Sequence, residues 1–278
     1  MNVGVIGLGL IGGSFAKAIK EKEDISVYGY DINESSFLAA KMTHAVDERL
    51  TDDTIGSCDI IIVCLYPSAA VEFIKEKAHL IKKGAVVVDT CGTKRYICEN
   101  ISPLAQTHEF YFIGGHPMAG TQYSGFSHSK STLFKGASMI MCPLNTPLDV
   151  TENTKQFFIS IGFGSIVFCT PEFHDSQIAF TSQLAHVVSN AYIKSPAAQE
   201  HKGFSAGSYK DLTRVARLNP AMWAELFLEN SENICREIDT IVDELKKYSD
   251  AIKANDKEEL EKLLADGVAK KLSAENKK

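Results

Sequence analysis

Short apolar runs alternate with longer amphipathic stretches through the first 169 residues of this chain. The runs predict strands at residues 2–6, 25–30, 59–65, 85–89, 110–114 and 137–142, with a late strand at 163–168. The segments between them carry apolar residues at helical spacing, as at 12–22, 68–81 and near 151–160. Strands that alternate with helices in this way predict an α/β domain with a doubly wound parallel sheet.

The pattern changes at Thr170-Pro171-Glu172, because helical spacing continues from there almost to the end of the chain. The threonine is a residue type that caps helices, and the proline suits a first helical turn. Asn219-Pro220 predicts the start of a further helix in the same way. We therefore expect two domains, an α/β domain over residues 1–169 and an all-helical domain over residues 170–278.

The composition is that of a soluble protein with a sizeable core, since 45% of the 278 residues are hydrophobic and 23% are charged. The formal net charge of −6 argues against a nucleic-acid partner, because phosphate binding requires clustered Lys and Arg. The longest apolar run, Ile60 to Tyr66, is too short to cross a membrane. We expect no membrane partner.

Seven cysteines are scattered along the chain without a Cys-x-x-Cys pair, which is typical of a reducing compartment. No basic leader or cleavage-like site precedes the first strand. We therefore expect a cytoplasmic protein. No cluster of His, Cys and carboxylate residues has the spacing of metal ligands, so we expect no structural metal.

A glycine-rich turn, Gly-Leu-Gly-Leu-Ile-Gly, connects the first predicted strand to the first helix at residues 7–12. Gly7 allows a tight turn at the end of the strand. Gly9 lets a pyrophosphate approach the backbone, and Gly12 lets the helix pack closely against the strand. This spacing predicts a Rossmann-type domain that binds a dinucleotide.

The residues around this turn indicate which dinucleotide binds. Leu10 and Ile11 begin the helix, whose free amide groups and positive dipole end would face the phosphates. Asp31 follows the second strand, 19 positions after Gly12. Its carboxylate would accept hydrogen bonds from an adenosine ribose and repel a 2′-phosphate. The sequence therefore predicts NAD, rather than NADP, as the cofactor.

Ligands of open α/β sheets bind beyond the carboxyl ends of the strands, and three segments of this chain follow predicted strands. They are residues 64–67, 89–94 and 114–121, and the first two contribute candidate cofactor contacts at Leu65, Pro67, Gly92 and Thr93. The third holds two glycines, a proline and His116, which are poor core residues. A neutral imidazole can accept a proton, so this setting favours a functional role for His116 over a structural one.

The helix after Thr170 carries a narrow polar stripe on an otherwise apolar surface. Ser182, His186 and either Ser189 or Asn190 lie at i, i+4 and i+7 or i+8, so they share one face. The stripe favours a lined cleft, and the alternative is a set of buried polar groups with local hydrogen bonds. His174, beside Asp175 in the first turn, is better explained by local capping or packing.

A third candidate group lies in Lys210-Asp-Leu-Thr-Arg214 and in Asn219-Pro-Ala-Met-Trp223. Asp211 and Arg214 are three residues apart, and an exposed ion pair between them would contribute only ~0.5 kcal/mol. Arg is also the side chain best shaped for two-pronged recognition of a carboxylate. From these residues alone, both interpretations stay open.

With these segments, the chain resembles the prephenate dehydrogenases, and the related arogenate dehydrogenases, of tyrosine biosynthesis. The matching stretches are residues 7–14, 116–121, 124–125, 133–136, 182–186, 210–216 and 220–223. They occur in the order found in the family and spread over residues 3 to 230. The nucleotide motif is shared by many families, whereas His-Pro-Met-Ala-Gly-Thr together with Asp-x-Thr-Arg is far more specific.

The resemblance implies an NAD-dependent oxidoreductase that converts prephenate to 4-hydroxyphenylpyruvate by oxidative decarboxylation. His116 is implied to be the catalytic histidine, hydrogen-bonded to the ring hydroxyl of the substrate. Arg214 is implied to hold a substrate carboxylate, and His186 to be a second active-site histidine near the substrate side chain. The other implied residues are Gln183, Asp211 and Thr121 at the substrate, and Trp223 in the helical wall or the interface of an expected homodimer.

Two positions depart from the family pattern, which often has Ser in place of Gly92 and His in place of Gln183. The first change removes a hydroxyl near the cofactor and substrate, and leaves Thr93 or a water to replace it. The second makes the pocket for the substrate side chain less basic, so the choice between prephenate and arogenate stays open. We expect no chorismate mutase segment and no regulatory ACT domain, so that any inhibition by tyrosine would be competitive.

Two other functions are more distant alternatives to a prephenate dehydrogenase. Other dehydrogenases of the β-hydroxyacid type also have a helical second domain, but they usually depend on a catalytic lysine where this helix offers His186. A non-catalytic NAD-binding sensor would bind NAD and have no turnover to lose when His116 is replaced.

Overall fold

The computed structural model describes residues 1–121 and 123–276 of the chain. They form two compact units, one from Met1 to Asn230 and one that begins at Ser231. The first unit contains every strand and most of the predicted site residues. The second unit contains two helices.

A single eight-stranded sheet organises the first unit, with the strand order β3-β2-β1-β4-β5-β6-β7-β8. The strands are β1 (Asn2–Ile6), β2 (Ser26–Tyr30), β3 (Glu48–Arg49), β4 (Ile60–Val63), β5 (Val86–Asp89), β6 (Tyr111–Pro117), β7 (Ser138–Pro143) and β8 (Ser165–Phe168). The predicted α/β class and the predicted strands are confirmed. The order over β3 to β6 is that of a dinucleotide-binding sheet, whose direction of winding reverses between β1 and β4.

The sheet departs from an all-parallel arrangement at one place, because β7 runs antiparallel to β6. No crossover helix connects these two strands in the described chain, where the connection holds only a short 3₁₀ turn at Phe126–His128. A parallel pair would need such a crossover. The pairing also extends β6 beyond its predicted end, so His116 lies inside the strand, opposite Ile140, rather than after it.

Helices cover both faces of the sheet, and each face has its own apolar core. The helices between strands are α1 (Leu10–Lys20), α2 (Glu34–Met42), α3 (Pro67–Lys77), α4 (Arg95–His108) and α5 (Leu148–Ser160). Phe15 and Ile19 of α1 pack with Val3 and Val5 on one face. Ile74 of α3 packs with the opposite face of the strands. The sheet therefore presents only its edges to ligands.

The rest of the first unit is helical. It contains α6 (Pro171–Ile178), a π-helical turn (Ala179–Leu184), α7 (Ala185–Tyr192), α8 (Gly207–Thr213) and α9 (Pro220–Glu229). Both predicted helix starts are confirmed. Thr170 accepts a hydrogen bond from the amide of Phe173 at 3.2 Å, and Asn219 accepts one from the amide of Ala221 at 3.1 Å.

The second unit consists of α10 (Ser231–Lys253) and α11 (Lys257–Asn276). The Tyr248 hydroxyl donates to the carbonyl of Leu263 at 3.2 Å and so ties the two helices together. Both helices leave large apolar side chains exposed, namely Val242, Leu245, Ile252, Leu264, Val268 and Leu272. Among the described residues, no helix combines the length and the apolar character needed to span a membrane.

Candidate active site

The glycine turn between β1 and α1 has the geometry that its sequence predicts. Gly7 has a φ of +84°, and a β-carbon there would lie 2.4 Å from the carbonyl oxygen of Cys64. A β-carbon on Gly12 would lie 1.8 Å from the carbonyl oxygen of Gly7. At Gly9, by contrast, nothing lies within 4 Å of the β-carbon position. The turn is therefore closed toward the sheet and open at Gly9, where a phosphate group fits.

Asp31 lies beside this turn, because its carboxylate accepts the amide of Leu8 at 2.7 Å and the amide of Asn33 at 2.8 Å. Leu65 approaches from the end of β4, with Cδ2 3.0 Å from the β-carbon position of Gly7. Leu10, Ile11 and Pro67 occupy the first turns of α1 and α3. These residues together fit a dinucleotide that crosses the carboxyl edge of the sheet.

A buried ion pair occupies the next strand end. The Lys94 ammonium contacts the Asp89 carboxylate, and neither side chain is exposed to solvent. Asp89 also accepts the amides of Cys91 at 2.8 Å and Gly115 at 3.0 Å, which fixes β6 beside it. Burial lowers the pKa of Lys94, but Asp89, Cys91 and Cys98 together outweigh burial and raise it. Lys94 is therefore a fixed ammonium paired with a carboxylate inside the sheet edge.

His116 is held from β6 by a chain of hydrogen bonds. Its Nδ1 lies 2.9 Å from Nε2 of His174, and Nδ1 of His174 lies 2.7 Å from Oδ1 of Asp175. Asp175 also accepts the amides of Lys94 at 2.7 Å and Arg95 at 2.9 Å. Because these amides begin α4, the carboxylate lies at the positive end of a helix dipole.

The protonation states along this chain of hydrogen bonds follow from Asp175, the residue at its far end. Burial would raise the pKa of Asp175, but hydrogen bonds from His174 and from the two amides of α4 lower it, so the group is a carboxylate and only accepts. His174 must then donate from Nδ1. Burial lowers the pKa of His174 as well, so the ring is neutral and Nε2 accepts from Nδ1 of His116.

His116 is consequently a neutral imidazole with its lone pair on Nε2. Burial lowers its pKa well below the usual value, and the nearby charge of Lys94 lowers it further. A neutral ring with a fixed acceptor nitrogen is suited to take a proton from a hydroxyl group. This geometry is what general-base chemistry at the end of β6 requires.

Part of this group was not expected from the sequence. Capping does not explain His174, because Thr170 caps α6; the histidine is buried against its neighbour Asp175, as local packing predicts, but it also reaches His116, 58 positions away. Asp89, Lys94 and Asp175 were not singled out either. The available signal was their position: Asp89 ends a strand, and Lys94 and Asp175 lie near the start of a helix. Charged side chains at such positions are seldom part of a hydrophobic core.

A second group forms between α7 and the segment after α8. Nδ1 of His186 donates to the carbonyl of Val215 at 3.1 Å, and its ring centroid lies 4.1 Å from that of Trp223. Burial lowers the pKa of His186, and the nearby charge of Arg214 lowers it further. Arg214 itself is exposed. The structure thus brings together His186, Arg214 and Trp223.

Part of the polar stripe on the helix is buried or hydrogen-bonded within the protein. Asn190, one turn after His186, donates to the carbonyl of Ala216 at 3.1 Å, and Ser189 is buried. Gln183 is only 1% exposed. Its Nε2 donates to the carbonyl of Leu226 at 3.1 Å, and its Oε1 accepts from Asn230 at 2.8 Å. This differs from the expected substrate contact, because Gln183 is used to fasten α9 to the π-helical turn.

The remaining expected site residues are exposed or make contacts within the protein. Thr121 is exposed and hydrogen-bonds to the backbone of Tyr123. Asp211 is exposed on α8, and no ion pair in the described residues joins it to Arg214. Thr93 does not offer its hydroxyl to a ligand, because Oγ1 donates to the carboxyl of Glu229. Its neighbour Gly92 keeps part of its surface exposed.

Comparison with known proteins identifies the family. The model of the prephenate dehydrogenase nucleotide-binding domain matches residues 15–167, and the model of the prephenate dehydrogenase dimerization domain matches residues 170–266. The chain belongs to the prephenate dehydrogenase family. It is accordingly an enzyme of the oxidoreductase class, with a nucleotide-binding domain built on the sheet described above.

Individual relatives agree with this assignment. The chain is 30% identical to a cyclohexadienyl dehydrogenase of Zymomonas mobilis over 265 residues, which cover 92% of this chain and 89% of the relative. A solved structure of prephenate dehydrogenase from A. aeolicus, in complex with hydroxyphenyl propionate and NAD⁺, is 27% identical with a TM-score of 0.86 and covers 99% and 98% of the two chains. Synechocystis arogenate dehydrogenase is 25% identical with a TM-score of 0.82 and covers 99% and 100%.

Proposed function

We propose that this dehydrogenase uses NAD to convert prephenate to 4-hydroxyphenylpyruvate and carbon dioxide. The observation that carries the proposal is the chain from Asp175 through His174 to His116, which leaves Nε2 of His116 as a fixed hydrogen-bond acceptor. NAD, when bound across the carboxyl edge of the sheet, supplies the acceptor for the hydride. The residues of the protein supply the base, the orientation and the charge.

His116 acts on the ring hydroxyl of the substrate. Nε2 accepts the hydroxyl proton while the carbon that bears the hydroxyl loses its hydride, so that a ring carbonyl forms. The ring carboxylate then leaves as carbon dioxide, its bonding electrons make the ring aromatic, and the ring oxygen takes the proton back from Nε2 of His116. The proton that His116 gains is stabilised through His174 by the Asp175 carboxylate, which makes this chain a positioning device for the base.

Arg214 and His186 bind the rest of the substrate. Arg214 carries an exposed guanidinium beside His186, and this guanidinium offers positive charge to a carboxylate of the dianionic substrate. Trp223 packs against the ring of His186 and holds it in place. Asp211, Thr121 and Gln183 are not included among the proposed contacts, because their side chains are exposed elsewhere or are bonded within the protein.

Arogenate is a second candidate substrate, and one observation favours it. His186 donates its Nδ1 proton to Val215, and its lowered pKa keeps the ring neutral, so Nε2 is an acceptor. An acceptor suits the ammonium group that arogenate carries and prephenate lacks. The ratio of kcat/KM for arogenate to kcat/KM for prephenate, measured with NAD at pH 8, decides between the two.

The proposal is tested with the purified protein, NAD and prephenate. We expect NADH formation, and His116→Asn should lower kcat by ~10²–10⁴-fold while the affinity for NAD stays nearly unchanged. The control is His79→Phe, at an exposed position on the surface. A folded protein that binds NAD but turns over neither prephenate nor arogenate would show a sensor instead of an enzyme.

Three further expectations, on the domain boundary, the oligomeric state and the cellular location, also remain proposals. We propose a boundary between the nucleotide-binding and helical domains at residues 169 and 170, between β8 and α6. We propose a homodimer, supported by the match to the dimerization domain and by the exposed apolar side chains of α10 and α11. We also propose a cytoplasmic location, which cell fractionation would test.

A further inference from the structure

The helix α9 lies across the ends of two neighbouring strands. Glu225 accepts the amide of Ser68, in the first turn of α3 that follows β4, at 2.7 Å. Leu226 lies 3.4 Å from the β-carbon position of Gly92, which follows β5. One turn later, the carboxyl of Glu229 accepts a hydrogen bond from Thr93. This face of α9 therefore covers the part of the sheet edge that lies on the β4 and β5 side of the glycine turn.

One atom on this face lacks a partner. Oε1 of Glu229 is buried, and no hydrogen-bond donor for it occurs in the described residues. Oε2 of the same carboxyl is taken by Thr93. A buried carboxylate oxygen without a donor is unfavourable, so such an atom points to a donor that arrives with a ligand.

The position of Glu229 indicates which donor this is. In sheets of this order, the dinucleotide crosses the edge where the winding reverses, between β1 and β4. Asp31 is placed on the β2 side, where the adenosine ribose is proposed to bind. The nicotinamide end then extends toward β4 and β5, below α9. The carboxamide is the only polar substituent of the nicotinamide ring, and its NH₂ group donates two hydrogen bonds.

We infer that Oε1 of Glu229 accepts a hydrogen bond from the carboxamide NH₂ of the bound nicotinamide. This inference rests on the proposed NAD-dependent function and adds a contact from the helical part of the chain to the reactive ring. The contact fixes the orientation of the ring relative to His116. It also explains why Thr93 donates to Glu229, because that bond turns the second oxygen toward the ligand.

The ionisation of Glu229 supports this role. Burial raises its pKa to about 7, the charges of Glu225 and Asp175 add to the shift, and the Thr93 hydroxyl and Lys94 oppose it. An N–H donor and a positively charged pyridinium ring both favour the ionised form. NAD⁺ affinity should therefore increase as the pH rises from 6 to 8, since the carboxyl becomes ionised in that range.

The test compares NAD⁺ with 3-acetylpyridine adenine dinucleotide, in which an acetyl group replaces the carboxamide and no NH₂ remains. Both are titrated into the protein by calorimetry, which measures binding without turnover. We expect the wild-type protein to prefer NAD⁺ by about tenfold at pH 8, as one hydrogen bond to a charged group provides. Glu229→Ala should reduce this preference to within about twofold.

Glu229→Gln sharpens the result, because its amide oxygen can still accept the bond but cannot ionise. This variant should keep the preference for NAD⁺ and lose the pH dependence of binding. The matched control is Glu152→Ala, an exposed glutamate of α5 bonded to Lys155 and Gln156, which should bind like the wild type. Melting temperatures of all variants establish that they are folded.

Two outcomes overturn the inference while leaving the proposed function intact. In one, Glu229→Ala keeps the wild-type preference between the two dinucleotides. In the other, that variant changes the affinity for arogenate relative to prephenate instead, which would place the carboxyl against the amine of the substrate. A wild-type protein that binds neither dinucleotide would contradict the proposed function itself.

Discussion

The direction of each proton along the hydrogen-bond chain to His116 depends on one carboxylate. Asp175 accepts the amides of Lys94 and Arg95 at the start of α4, so it stays ionised and requires a donor at Nδ1 of His174. His174 in turn requires a donor at Nδ1 of His116. No single residue of this chain reveals the arrangement by its type or spacing. The base is defined by its neighbours as much as by its own imidazole.

His174→Phe tests this dependence, because it fills a similar volume and breaks the chain. Without a partner on Nδ1, His116 populates both tautomers, so we expect kcat to fall by about 10–100-fold with NAD affinity unchanged. In the wild type, the acid limb of the kcat/KM profile should lie well below pH 6.5, since the pKa of His116 is lowered. In the variant that limb should move to lower pH still, because the protonated ring of His116 loses the acceptor that His174 offers to its Nδ1.

The acid side of this experiment needs a stability control. His116 and His174 have lower pKa values in the folded protein than in the unfolded chain. Unfolding therefore takes up protons once the pH falls below 6.5, and stability decreases in that range. Rates are read only where the melting temperature shows a folded protein. A loss of activity without any shift of the acid limb would indicate a purely structural role for His174.

At the scale of elements, two glycines of the turn between β1 and α1 have different roles. Gly12 is required for folding, and Gly9 is required for binding of the cofactor. Gly12→Ala would drive a β-carbon into the Gly7 carbonyl, whereas Gly9→Ala meets no atom within 4 Å. We expect Gly12→Ala to lower both the melting temperature and NAD affinity. Gly9→Ala should keep the wild-type melting temperature and weaken NAD binding by at least about tenfold, because the new methyl group occupies the approach of the pyrophosphate.

Calorimetric titration with NAD and thermal unfolding of both variants check this pair. Wild-type affinity in Gly9→Ala would mean that the phosphates do not approach the turn at this glycine. The comparison needs no separate control, since each variant adds the same methyl group to the same turn.

Secondary-structure elements were predictable from the sequence wherever neighbouring residues determine where the element begins or ends. Thr170 and Asn219 cap their helices as their side chains require. The antiparallel pairing of β7 with β6 was not predictable from a β-rich run, because strand direction depends on the path of the connection. The π-helical turn at Ala179–Leu184 was hidden too, because apolar spacing alone does not distinguish it from an α-helix.

At the scale of the whole molecule, the exposed apolar side chains of α10 predict self-association. Leu245 is 60% exposed and Val242 is 54% exposed, three positions apart on the same helix. We expect Leu245→Glu to convert the proposed dimer to a monomer, because a buried, unpaired carboxylate is unfavourable in an interface. Light scattering after size-exclusion chromatography measures the mass. Lys246→Glu, which places the same charge on the neighbouring exposed residue, should stay dimeric. A Leu245→Glu dimer would exclude this surface from the interface.

The sequence by itself determined the α/β class, the dinucleotide turn and the placement of His116 near a strand end. These features depend on residues that are close together in the chain, such as Gly7 and Gly12, or on apolar periodicity. The tertiary structure decided which groups surround them. His174 meets His116 across 58 positions, and Glu229 meets Thr93 across 136. Such contacts depend on how helices pack over the sheet edge, which no local pattern specifies, and they set the proton directions on which the proposed chemistry depends.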